Sequence, residues 1–232
     1  METVVESLRI VLFVSMLGIA GICDVKSREI PDVIWLIFGG IGAALYIWDY
    51  DDGMTSYHVI AIFTSVFVGI MLWRWKIAGS ADAFAILAMA VILPVHYEFV
   101  MMPIMILVTA FLLVVILVIL YNVSLNISDI IRSRKMNVFF EFSEPKHKKV
   151  FAFLTIHKKR KYEKFVIPAE NFISITPGIK SFVFLSSRNK IKRNSQLESN
   201  EMHVQNVPPL ISYMFGVALF LLLPEILSIL FS

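Results

Sequence analysis

Two stretches place a carboxylate where burying charge is expensive. Residues 77–84 read IAGSADAF, with Asp82 behind Gly79, Ser80 and Ala81 at the head of an apolar run. Residues 21–32 read GICDVKSREIPD, with Asp24 behind Ala20 and Gly21 at the foot of another. Ionisable side chains in such segments are rare and usually functional. Small residues three and four positions away share the acid's helix face, so another backbone can approach there and the two acids can meet. Like charges a few ångströms apart cannot both ionise, so a pair of this kind holds one proton. The ionised member can then take a proton from water while the other hydrogen-bonds the carbonyl under attack, which is amide hydrolysis without metal, cofactor or covalent intermediate. Helix polarity suggests Asp82, in a first turn, as the base and Asp24, near a C-terminus, as the acid; Lys26 and Arg28 act in the opposite sense.

Elements that could bring these acids together are membrane helices. The chain has 232 residues, 58% of them hydrophobic, and a mean hydropathy of +0.77, a balance foreign to water-soluble domains. The fold class is therefore an α-helical polytopic membrane protein. Six transmembrane helices are predicted at Leu8–Asp24, Val33–Trp48, Val59–Trp75, Ile77–Val95, Val100–Tyr121 and Pro209–Phe231. The fourth begins at Ile77 because its purely apolar part is too short to cross about 30 Å of hydrocarbon. The N-terminus has no small-residue cleavage site after its apolar run and reads as a retained helix.

Of 21 Lys and Arg, all but Arg9 fall after spans one, three and five, which makes those connections cytoplasmic and puts both termini outside. Asp49, Asp51, Asp52 and Glu98 lie in the outer loops, and Trp35, Trp48, Trp73 and Trp75 mark span ends, where aromatic anchors belong. Residues 1–121 thus hold five spans and both acids, and residues 208–232 the sixth. Residues 122–207 form a cytoplasmic insert with 16 basic and 7 acidic side chains. Its runs NVFFEF, KVFAFLTI, KFVIPA, NFISI and SFVFL predict a small strand-rich domain, with Arg188 to Glu201 as a flexible linker. Beside a membrane its basic surface suits anionic lipid headgroups rather than nucleic acid.

At Asp24–Asp32 (DVKSREIPD) and Gly79–Asp82 (GSAD) the sequence resembles the archaeal preflagellin and prepilin peptidases, GxGD-class membrane aspartyl proteases related to type IV prepilin peptidases. The resemblance covers the six-span layout and is specific mainly over the first ninety or so residues. It implies that Asp24 and Asp82 are the catalytic aspartates. It also implies a substrate, a preflagellin or prepilin-like precursor whose short basic leader precedes an apolar helix. By the positive-inside rule the scissile bond of such a precursor lies at the cytoplasmic face of the cell membrane, at the depth predicted for both acids. Glu29 and Asp32 could hold the leader's basic residues, although acids are favoured near the start of span two in any case. Ala81 stands where the family pattern has glycine; close approach survives this, but a positive φ would not come cheaply.

Other signals are weaker. The five histidines are scattered over both sides under this topology, and Cys23 is the single cysteine, so no metal site is expected. A proton- or ion-coupled transporter using the same two acids is the alternative, but such acids usually sit mid-membrane within repeated halves, and no internal repeat is found. A non-catalytic membrane anchor for the basic insert is a third reading.

Overall fold

The computed structural model describes residues 2–48, 56–75, 79–95, 101–133, 139, 142, 144–159, 166–172, 180–182 and 202–231. Asp49, Asp51, Asp52, Lys76, the predicted span start at Ile77, Glu98 and the linker 188–201 lie outside the described residues. The chain divides into two compact units, residues 1–114 with 209–232, and residues 115–208.

The first unit is helical. It contains α1 (Glu2–Ser27), α2 (Asp32–Trp48), α3 (Ser56–Trp75), α4 (Ser80–Ile92), most of the apolar start of α5 (Met102–Ser133), and, at the end of the chain, α7 (Leu210–Leu221) and α8 (Leu223–Phe231). Among the described residues, three helices are long and apolar enough to cross a bilayer: Val4–Ser27, Tyr57–Trp75 and Met102–Arg132. The pair Leu210–Leu221 and Leu223–Phe231, bent by 64°, makes a fourth if counted as one broken span. The bend falls beside Pro224, which has no N–H to continue the helical ladder. Phe63, Phe67, Leu112 and Ile116 lie exposed on α3 and α5, apolar faces that need lipid rather than water. The protein is thus a mainly helical membrane protein in which, among the described residues, three to four spans meet the length requirement; six are not shown.

The difference lies in α2 and α4. The fourth helix has 13 residues, about 20 Å of rise, and starts at Ser80 after an extended Gly79. It is instead the centre of the unit, packed by α1, α2, α3 and α7, with Ala85, Ile86, Met89 and Ile92 fully enclosed. A helix surrounded by other helices need not match the hydrocarbon thickness on its own surface. Trp35 is also core rather than an interfacial anchor, at 5% exposure, whereas Trp48, Trp73 and Trp75 are exposed.

Close packing around α4 depends on glycine. A β-carbon at Gly42 of α2 would lie 2.8 Å from Cγ1 and 3.2 Å from Cα of Ile92, while one at Gly40 would meet nothing within 4 Å. Gly42→Ala should therefore lower stability by about 1–3 kcal/mol through overpacking. Gly40→Ala should leave it unchanged or raise it by up to about 1 kcal/mol through helix propensity. Thermal unfolding of the two variants in detergent checks the contrast.

In the second unit, α5 continues to Ser133, twelve residues past its predicted end at Tyr121. The polar residues that suggested a helix end find partners within the unit. Asn126 Nδ2 donates to the Phe153 carbonyl at 2.9 Å and the Ile156 carbonyl at 2.7 Å, closing the C-terminus of α6 (Lys146–Thr155). Asn122 Oδ1 and His157 Nδ1 are 2.8 Å apart, and the Tyr121 and His157 rings meet edge to face. The run KVFAFLTI, predicted as a strand, is thus largely helix. Ala152 and Ile156, four positions apart, are buried with Phe139, Phe142 and Ala169, a helical spacing that the β-branched and aromatic content obscured. Asn126→Leu should cost about 1–3 kcal/mol, since it orphans two carbonyls at a helix end. Loss of amide protection at the end of α6 in hydrogen exchange would register it.

Five short strands are found among the described residues of the unit. β1 (His157–Lys159), β5 (Met202–Asn206) and β2 (Val166–Pro168) form an antiparallel sheet in the order β1-β5-β2, with His157 opposite Val204 and Pro168 opposite Val204 on the other side. β3 (Glu170–Phe172) pairs with β4 (Lys180–Phe182), Asn171 opposite Ser181. Strands β2, β3 and β4 fall in three of the predicted runs. β1 and β5 do not, because their Lys, His, Gln and Asn content lacks the apolar signature of a strand.

Candidate active site

Asp24 occupies the last turn of α1. The helix stops at Arg28, whose φ of 59° is the one positive value of a non-glycine residue among the described residues. The Arg28 amide closes on the Asp24 carbonyl at 3.2 Å, and Ser27 Oγ donates to the carbonyls of Cys23 and Glu29. This left-handed turn ends the helix as a C′ residue does, and an arginine tolerates it less well than glycine would. Its side chain reaches back to the acid: Arg28 Nη1 lies 3.6 Å from Asp24 Oδ1.

The other oxygen has a distant partner. Asp24 Oδ2 accepts the Ile211 backbone N–H at 3.0 Å, across 187 residues of chain. Asp24 therefore caps the N-terminus of α7, at 8% exposure. The sequence prepares that terminus. Pro209 has no N–H, and its carbonyl receives the amides of Ser212 and Tyr213, leaving Ile211 as a donor in need of an acceptor.

Asp82 is the third residue of α4 and half-buried. Its Oδ2 accepts the Gly79 N–H at 2.8 Å, so it caps its own helix. Gly79, rather than Ser80, is the N-cap residue, with an extended backbone, and a β-carbon there would stand 3.3 Å from that Oδ2. Ser80 is exposed at the first helical position. Ala81 lies within α4 and carries no positive φ, so the backbone angle for which glycine would be required does not arise.

These two carboxylates sit on helices that pack together, and the charge of Asp24 bears on Asp82. No hydrogen bond joins the two among the described residues; each is tied by one oxygen to the amide end of a different helix. Each carboxylate keeps its other oxygen outside these two bonds. Glu29 and Asp32 are exposed near the same end of α1 and α2, and Asp32 opens α2. Among the described residues, no group of three His, Cys, Asp or Glu gathers to hold a metal.

The small residues before Asp24 have another neighbour than predicted. Gly21 packs on α7, where an added β-carbon would lie 3.4 Å from Ser212 Cα, and one at Gly18 would lie 3.2 Å from Phe215 Cε2. Sequence reasoning assigned this face to the helix of Asp82 and did not bring in α7. Two signals were there to be used: the spacing of Gly18, Gly21 and Asp24, three apart on one face, and the Pro-Pro pair that leaves the amides of residues 210–212 at a helix start. No family model matches the chain, and neither a curated protein nor a solved structure matches it.

Proposed function

We propose that this chain is a membrane aspartyl endopeptidase of the kind it resembles. It removes the short basic leader from a preflagellin or type IV prepilin-like precursor at the cytoplasmic face of the cell membrane. The observation that supports this reading is that Asp24 and Asp82 stand on separate helices, α1 and α4, that pack together in the helical unit, near enough for the charge of one to bear on the other. In this reading α2 and α4 cross with the other helices, α7 and α8 form one bent crossing, and the protein has six spans with both termini outside.

One acid, ionised, accepts a proton from the water as its oxygen attacks the scissile carbonyl. The other, protonated, donates to the carbonyl oxygen as charge develops on it. Collapse of the tetrahedral intermediate breaks the C–N bond: the proton gained by the first acid passes to the leaving amine, and as the C=O bond re-forms one hydroxyl returns its proton to the second acid, which restores the starting pair. The two aspartates carry each proton transfer, so the reaction requires neither a metal nor a nucleophilic side chain. Bonds from Gly79 and Ile211 already fix one oxygen of each carboxylate, which supports the reading because an ordered acid reacts from fewer orientations. Glu29, just after α1, and Asp32, at the start of α2, are exposed and available to the leader's Lys or Arg.

Purified protein in detergent, incubated with preflagellin and prepilin precursors, should yield a mature product whose mass corresponds to loss of the basic leader. Precursors left at full mass, by protein whose circular dichroism is that of a folded helical chain, would reject the assignment. Proton-dependent solute uptake into proteoliposomes, without cleavage, would favour transport.

A further inference from the structure

We propose that the first turn of α7 is a positioning element for Asp24, and that Ser212 is the side chain that sets it. The inference rests on the protease reading and extends the site to a helix 187 residues away from its acid. Gly18, Gly21 and Asp24 lie on one face of α1 and meet Phe215, Ser212 and Ile211 of α7 in that order, so the two helices run antiparallel with no side chain between them at Gly21.

Ser212 Oγ donates to the Gly21 carbonyl at 2.8 Å. This bond pins α7 against α1 one turn before Asp24 and at the height where the Ile211 amide reaches Asp24 Oδ2. The Ile211 N–H is a directed donor at a helix end, where the field also favours an acceptor carboxylate. With Oδ2 held there, the carboxylate plane is fixed and Oδ1, beside Arg28, is the oxygen left to face water and substrate. Ser212 thus acts on the reaction through the orientation of Asp24 and touches neither water nor substrate itself.

A positioning role makes a specific demand on kinetics. Removing the hydroxyl leaves precursor binding intact but loosens the acid, so kcat falls while KM stays. Ser212→Ala should lower kcat on the order of 10²-fold, the loss expected from a misplacement of about 1 Å. Ser212→Thr, which keeps the donor, should recover most of the rate, and Ser212→Cys, a weak donor, should fall between. The Ile211 amide gives a readout independent of turnover. In protein labelled with 15N-isoleucine, its resonance, assigned by its loss in Ile211→Val, should move in Asp24→Asn and in Ser212→Ala but stay in place in Asp82→Asn.

Ser212→Ala and Ser212→Cys cleaving at the normal rate, beside an inactive Asp24→Asn, would overturn this inference and leave the protease reading standing. An Ile211 resonance that ignores Asp24→Asn would overturn it in the same way. Asp24→Asn cleaving normally would overturn both. Should Ser212→Ala not fold, Ser212→Cys and Ser212→Thr carry the comparison.

Discussion

Asp24→Asn and Asp82→Asn should each reduce precursor cleavage by about three orders of magnitude or more, with the double variant little worse than either. A single general acid or base contributes roughly 10²–10⁴-fold, and groups that act as one unit lose their effect together. Folding survives both substitutions for a structural reason. The bond from Ile211 to Asp24 Oδ2 and the bond from Gly79 to Asp82 Oδ2 each need only an acceptor, which the asparagine carbonyl oxygen supplies. Alanine is the wrong probe here. Asp24→Ala would also uncap α7, at about 1 kcal/mol, and confuse stability with chemistry. Single-turnover cleavage assays on the asparagine variants, with helix content checked by circular dichroism, decide the matter; normal cleavage by either one removes the dyad.

The second large effect concerns a residue with no chemistry of its own. Gly21→Leu should abolish most cleavage, on the order of 10²-fold, and destabilise the helical unit by about 1–3 kcal/mol. At Gly21 the space ends at Ser212 Cα, 3.4 Å from an ideal β-carbon, with Phe215 Cβ at 3.8 Å beyond it. A single methyl group fits in that gap as ordinary contact, so Gly21→Ala should remain close to native in both respects. Leucine must displace the backbone of α7, and with it the amide on which Asp24 rests. Thermal unfolding and cleavage measured on the same preparations distinguish this graded outcome from a uniform one. Equal losses for alanine and leucine would mean that glycine is needed for something other than space.

Support for the site comes from helix ends as much as from packing. Both acids are bound into helix starts, Asp82 into its own and Asp24 into that of α7, and these contacts are structural whatever else the acids do. The same bonds that satisfy orphan amides also order the carboxylates. Arg28, four residues after Asp24 and held in a left-handed turn, adds a cation to one of them. A membrane interior gives such arrangements weight, because an acid left without partners there would be costly.

What the sequence determined by itself was whatever depends on local hydropathy and on near neighbours. Long apolar runs specified the membrane class and the helices α1, α3 and α5, since each must satisfy its own backbone in lipid. The rarity of acids in apolar segments singled out Asp24 and Asp82. Tertiary structure decided what depends on partners far along the chain. It enclosed α4, so that 13 residues suffice for a central helix. It carried α5 past Asn122 because α6 offers carbonyls to Asn126, and it made helix of a run whose composition suggests strand. It also turned the glycine face of α1 toward α7 instead of α4, since a small-residue stripe specifies that a backbone can come close but not which one.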